Sequence, residues 1–205
     1  AERSLWRLRH LEIENDIEII DFELTELSEI NQITKKYNFD FIYNLAAMSF
    51  VGSSFNQPIS TANANYIGAL NILESIRTND LSSRFYQAST SEMFGKVQEM
   101  PQTERTPFHP RSPYGVSKLA AHSATVNYRE SFDIFACSGI LFNHESPLRG
   151  AEFVTQKIVL GLNAIRKGVQ EKISLGNLDA KRDWGHASDF VKAMKLNLES
   201  DSADD

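Results

Sequence analysis

Apolar runs alternate with segments of helical periodicity along this chain, and that alternation limits what it can fold into. "IEIIDFEL" (17–24) reads as a strand. Residues 28–37 read as a helix, with Ser28 placed to cap it. "FDFIYNLA" (39–46) is a continuous apolar run, as expected of a strand covered on both faces. A helix follows over 61–77, with Tyr66, Ala69, Leu70, Leu73 and Ile76 on one face. "RFYQAS" (84–89) is a third strand, 114–132 a long helix, and "DIFACSGILFN" (133–143) holds a fourth strand. Val154, Ile158, Leu162 and Ile165 mark a further helix, and Phe190, Met194 and Leu198 the last. Strands and helices in strict alternation imply parallel strands joined by crossovers, a doubly wound α/β sheet.

In such a sheet, ligands bind beyond the carboxyl ends of the strands. That places "AAMSFVGSS", "STSEMFG" and "NHESPLRG" on one rim. The second of these gathers Thr90, Ser91 and Glu92 directly after a buried strand. Turn chemistry is the plainer account, because Ser and Thr often satisfy backbone groups at strand ends. A second motif weighs against it. "SPYGVSK" sets Tyr114 and Lys118 four residues apart at the start of a helix, on one face. A free tyrosine titrates near 10, too high for a base at neutral pH, and a neighbouring ammonium lowers it. Tyr-x-x-x-Lys is therefore a plausible tyrosinate base with its cation. As a bare pattern it is common, and its weight comes from following the third strand and its polar turn.

Composition excludes several classes. The 205 residues are 41% hydrophobic and 23% charged, ordinary for a soluble globular protein. A net charge of −6 argues against a nucleic-acid partner. One cysteine, Cys137, permits no internal disulfide and allows a cytoplasmic setting. No run approaches a membrane span. The opening "AERSLWRLRH" is charged and amphipathic rather than a signal peptide, and it lacks an initiator Met. The five histidines show no ligand spacing with Cys or acids, so no metal is expected.

The stretches "YNLAAMSFVG", "FYQASTSEMFG", "PRSPYGVSK", "GILFNHESPLRG" and "SLGNLDAKRDWGHASDFV" together resemble the extended short-chain dehydrogenase/reductases. Within them the chain is most similar to the GDP-mannose 4,6-dehydratase family, over nearly its whole length from about Trp6 to Leu198. The resemblance implies a Rossmann-like sheet, bound NADP in preference to NAD, and a GDP-sugar substrate. It also implies a reaction. Tyr114 takes the proton of the sugar 4-hydroxyl while hydride leaves C4 for the cofactor; Glu92 removes the C5 proton as water leaves C6; hydride then returns to C6. Thr90 would hydrogen-bond the 4-oxygen, and Lys118 would hold the nicotinamide ribose and tune Tyr114. Glu92 has a physical reason to be there, since an elimination needs a base that a simple epimerase or reductase does not. The similar dTDP-glucose dehydratases carry Thr-Asp-Glu, and Ser91 here follows the GDP-mannose type, which leaves the proton donor to the leaving hydroxyl open between Glu92 and water.

By the same resemblance the cofactor contacts fall on Glu23, Leu24, Leu45, Ala46, Ala47, Ser49, Lys118, His144 and Arg149. Glu23 stands where Asp is usual, and Met48 where Gln is frequent. Ser91, Asn143, Val154, Lys157 and Arg182 match positions that contact the GDP-sugar. Arg182 suits a diphosphate, because a guanidinium binds two oxygens at once. Surface charge is the alternative for Arg149 and Arg182, and an ordinary loop histidine for His144; Trp184 and His186 read as structural.

The first strand and Gly-rich turn of the superfamily are not among these residues, so a partial chain is expected. Residues 1–142 then form an incomplete dinucleotide-binding domain, and 143–205 part of a smaller nucleotide-sugar-binding region with returning Rossmann elements. Such a chain is expected to bind cofactor weakly and to be poorly stable in isolation. The resemblance implies a homodimer or homotetramer, with the helices 61–77 and 114–132 as the dimer surface. Competing readings are a GDP-mannoheptose dehydratase, a 4-reductase or epimerase of the superfamily, and a non-catalytic dinucleotide-binding protein.

Overall fold

The computed structural model describes residues 5–205, so the first four residues of the amphipathic opening lie outside the description. The chain forms two compact units: residues 5–21 with 143–187, and residues 22–142 with 188–205.

The larger unit is built on β1 (Phe41–Asn44), β2 (Arg84–Thr90) and β3 (Ala136–Leu141), all parallel, in the order β1-β2-β3. The register sets Asn44 opposite Gln87 and Thr90 opposite Leu141, so the carboxyl ends of all three strands meet one edge. β2 is the spine, buried from Phe85 through Thr90. Its side chains alternate between faces, as the pleat requires. Phe85 joins Ile30, Ile72, Leu73, Ile76 and Ala136 in one core. Tyr86 and Ala88 join Cys137, Met194 and Leu198 in the other. The first core belongs to α2 (Leu27–Tyr37) and α5 (Gly68–Thr78), the second to α8 (Ala187–Glu199). Helices on both faces make this a doubly wound α/β sheet.

Helix ends follow local chemistry. α6 (Pro113–Phe132) starts where Ser112 Oγ accepts from Gly115 N at 3.0 Å, with Pro113 in the first turn. It stops at Asp133 in the left-handed conformation. Arg84 on β2 donates to the carbonyls of Leu198 and Ser200, satisfying the end of α8.

Four expectations needed correction. Residues 17–24 are not a strand. The alternation is there, but a strand exists only through a ladder partner, and Ile17, Ile19 and Phe22 stay exposed. Ser28 lies inside α2, whose capping position is Glu26 without a side-chain cap. β1 is not covered on both faces, since Phe41 and Tyr43 are exposed; the fully covered strand is β2. The expected helix over 61–77 runs as α4 (Pro58–Ala62), a π-helical turn (Asn63–Ile67) and α5. That turn shifts the inward face to Thr61, Asn65, Ala69 and Leu73, leaving Tyr66 and Leu70 only partly covered. A short helix α3 (Val51–Ser54) precedes it.

The smaller unit pairs β4 (Asn143–Glu145) with β5 (Trp184–His186) in parallel, with α1 (Trp6–His10) and α7 (Val154–Arg166). Arg7 Nε donates to Leu148 O at 2.9 Å, tying α1 to the loop after β4. No helix among the described residues is long and apolar enough to cross a membrane.

Candidate active site

Thr90 ends β2 and turns its hydroxyl back on the chain. Its Oγ1 accepts from Glu92 N at 3.2 Å, capping the single 3-10 turn Ser91–Met93. Thr90 is buried, Ser91 is half-buried, and Glu92 faces solvent. The turn is fastened from below: His109 N donates to Met93 O, and Lys96 N to His109 O, each at 3.0 Å. Gly95 closes it at φ 51°, where a Cβ would run into the His109 carbonyl. Only glycine fits both conditions without strain.

The same turn packs on the start of α6. A methyl group on Gly115 would lie 2.8 Å from the Glu92 carbonyl oxygen, so the small residue beside Tyr114 lets the two segments meet. Tyr114 and Lys118 are both buried. Lys118 is 3% exposed, and burial pulls its ammonium down to about 8.

A buried hydrogen-bond chain links α6 to the loop after β1. Met48 N donates to Asn65 Oδ1 at 2.8 Å, Asn65 Nδ2 donates to Ser117 Oγ at 3.1 Å, and Ser117 Oγ donates to Tyr114 O at 2.8 Å. Asn65 sits in the π-helical turn and is 1% exposed. Asn65 and Ser117 were not anticipated from the sequence. Their only signal was the four-residue step from Thr61 to Asn65, which helical averaging hides.

The remaining anticipated residues divide by unit. The larger unit holds Thr90, Ser91, Glu92, Tyr114, Lys118, Leu24, Glu23 and the loop Leu45, Ala46, Ala47, Met48 and Ser49. Glu23 is exposed and accepts from Thr25 N and Oγ1; Leu24 packs against Gly68 and accepts at its carbonyl from Asn71. The smaller unit holds Asn143 and His144 on β4, Arg149 in the following loop, Val154 and Lys157 on α7, and Arg182 before β5. Arg149 lies 3.6 Å over the Phe153 ring, with Nε 3.5 Å from Glu145 Oε2, too far for a well-formed hydrogen bond. Thr155 Oγ1 donates to the same Glu145 oxygen. Lys157 and Arg182 are exposed. Among the described residues, no three His, Cys, Asp or Glu side chains converge as a metal site.

A parallel sheet with a buried Tyr-x-x-x-Lys at the head of the helix that follows its central strand is the architecture of the extended short-chain dehydrogenase/reductases. Solved structures bear this out. RMD of Pseudomonas aeruginosa, solved with NADPH, superposes with a TM-score of 0.85 at 25% identity, over 96% of this chain and 72% of that one. A dTDP-glucose 4,6-dehydratase from Streptomyces venezuelae, solved with NAD, gives 0.84 at 19% identity, over 98% of this chain and 61% of the other, and so supports the fold alone. The chain belongs to the GDP-mannose 4,6 dehydratase family, whose model matches residues 1–205. It is 51% identical over 185 residues to the GDP-mannose 4,6-dehydratase of Vibrio cholerae, covering 89% of this chain and 50% of that protein. It is 49% identical over 207 residues to the human GDP-mannose 4,6 dehydratase, covering 97% and 56%. The chain thus spans about half the length of the curated relatives it matches.

Proposed function

We propose that the protein is a nucleotide-sugar 4,6-dehydratase, a lyase that converts GDP-mannose to GDP-4-keto-6-deoxymannose with NADP as its resident cofactor. The observation that carries the reading is the Thr90–Glu92 turn seated on the helix start that bears Tyr114 and Lys118. Family membership and relatives named as GDP-mannose 4,6-dehydratases support the substrate. NADPH in one similar structure and NAD in another support a nicotinamide dinucleotide.

The residues suit such a cofactor. The loop after β1 lies at the carboxyl edge of the sheet and offers the small Ala46 and Ala47, with Met48 N tied back by Asn65. Lys118 supplies N–H donors for ribose hydroxyls. In the smaller unit, His144 and Arg149 would complete the cofactor's contacts, while Asn143, Val154, Lys157 and Arg182 would hold the GDP-sugar. The chemistry the dinucleotide supplies when bound is reversible hydride uptake.

Each protein group then has a task. Tyr114 withdraws the 4-hydroxyl proton as C4 is oxidised. Lys118, still largely protonated at pH 7 with its value near 8, favours the Tyr114 phenolate. Thr90 donates to the 4-oxygen and aligns it. The new ketone acidifies C5, and the exposed Glu92 carboxylate would take that proton and pass it to the C6 hydroxyl, which departs as water. Glu92 would then take a proton from solvent and give it to C5 once C6 is reduced. We further infer a cytoplasmic homodimer or homotetramer.

The test is turnover of GDP-mannose in deuterium oxide, followed by NMR of the product, with GDP-mannoheptose and NAD in parallel arms. A 4-keto-6-deoxy product carrying deuterium at C5 is expected, and Glu92→Gln should abolish it. A product without exchange at C5, or an unimpaired Glu92→Gln variant, would refute the assignment of Glu92.

A further inference from the structure

A histidine under the site is not accounted for by the reaction just described. His122 follows Lys118 by one turn of α6 and Tyr114 by two, on the same side of the helix. It is 8% exposed. Its Nδ1 lies 3.2 Å from the hydroxyl of Ser89, the residue before Thr90, itself 2% exposed. Its ring meets Phe108 edge-on at 5.5 Å between centroids, and Phe108 lies 5.1 Å from Phe94, which follows the Ser91–Met93 turn. The imidazole therefore touches both the helix that carries the base and, through Ser89 and two rings, the strand end that carries Thr90 and Glu92.

An apolar side chain would fill this space without burying a polar ring, which makes a pure packing role an expensive solution. A hydrogen bond fixes what packing alone does not, the rotation of α6 relative to the end of β2. Resting on the dehydratase reading above, we propose that His122 is a positioning residue. In its neutral form, with Nδ1 accepting from the Ser89 hydroxyl, it sets Tyr114 and Lys118 against Thr90 and Glu92. Burial supports the neutral form by lowering the imidazole below its ordinary value. The charges that reach it are Asp205, which raises it, and Arg129, which lowers it. Those two pair with each other at 2.7 Å, so their effects largely cancel. Protonation at Nδ1 would turn the acceptor into a donor and reverse the bond, with the Ser89 hydroxyl then accepting.

The test has two arms. In the first, histidine-labelled protein without substrate is titrated by long-range 1H–15N NMR. The expected spectrum is a neutral His122 protonated at Nε2, with Nδ1 free to accept and a titration midpoint below the ordinary imidazole value. Ser89→Ala should move the Nδ1 resonance and the Thr90 and Glu92 amides. An Nδ1–H tautomer, or an ordinary titration midpoint, overturns the proposal whatever the protein catalyses. In the second arm, His122→Phe should lower kcat by about tenfold or more with KM for the nucleotide sugar unchanged, as small misplacements of reacting groups do. His122→Asn, which can accept from Ser89, should restore most of that loss. Equal activity of His122→Phe and the parent overturns the proposal, and loss in Ser89→Ala supports it should His122→Phe fail to fold.

Discussion

Replacing Lys118 by methionine should make this protein more stable. The lysine is 3% exposed, and burial alone pulls it from 10.5 to about 8. Holding that ammonium in the fold costs roughly 3 kcal/mol at pH 7. Methionine is of similar length, has no charge to desolvate, and should fit with little repacking cost. A gain of roughly 3 kcal/mol corresponds to a rise in Tm of roughly 10 °C for a chain of this size. The pH dependence is the sharper part. Between pH 8 and 10.5 the unfolded chain binds more protons at this position than the folded one, so the parent gains stability as pH rises there. The methionine variant lacks that gain, and its advantage should shrink to roughly 1.4 kcal/mol by pH 9.5. Urea melts of both proteins at pH 7 and 9.5 measure this directly. A variant no more stable than the parent at pH 7, or a difference that ignores pH, would refute the reasoning. On the proposed assignment the variant should also be catalytically dead, because the Tyr114 phenolate would lose its cation.

Gly95→Ala should destabilise the protein by more than about 2 kcal/mol, because the left-handed backbone and the His109 carbonyl both exclude a Cβ. A shift below about 0.5 kcal/mol in a denaturant midpoint would show that the turn can relax. Asn65→Ala should cost about 1–3 kcal/mol by leaving the Met48 amide and the Ser117 hydroxyl short of partners. Hydrogen exchange at the Met48 amide should accelerate with it, and unchanged protection would mean the loop after β1 is held by something else.

How much of this was legible in the sequence depends on how far apart the cooperating residues lie. β2 could be read as a strand directly, but not its full cover, since Gln87, Ser89 and Thr90 are polar and the helices that bury it lie far off in sequence. Tyr114 and Lys118 were legible because helical spacing is local, and Thr90 and Glu92 because the strand's end is. The segment 17–24 misled for the opposite reason. Its alternation is a strand's, but strand formation depends on a ladder partner that no local window contains. The bonds Met48–Asn65–Ser117 and Ser89–His122 join residues 17, 52 and 33 positions apart, and nothing in the composition of either neighbourhood marks them. The long-range polar bonds that brace the Thr90–Glu92 turn and the start of α6 were thus hidden, while the local placement of Tyr114 and Lys118 could be read.

The π-helical turn at Asn63–Ile67 has a consequence for what length changes this helix tolerates. Thr61, Asn65, Ala69 and Leu73 are all buried, at steps of four residues. In a regular α-helix each such step overshoots a full rotation by about 40°, so three steps would drift by about 120°. Widening one turn takes up part of the excess and keeps the two halves of the helix in phase. Losing one residue within 63–67 would restore a regular helix with its two halves still nearly in phase, because about eleven α-helical steps from Thr61 to Leu73 turn through about 1100°, close to three full rotations. The wide turn is therefore where this helix should absorb a one-residue change of length, provided Asn65 keeps its bonds to Met48 and Ser117.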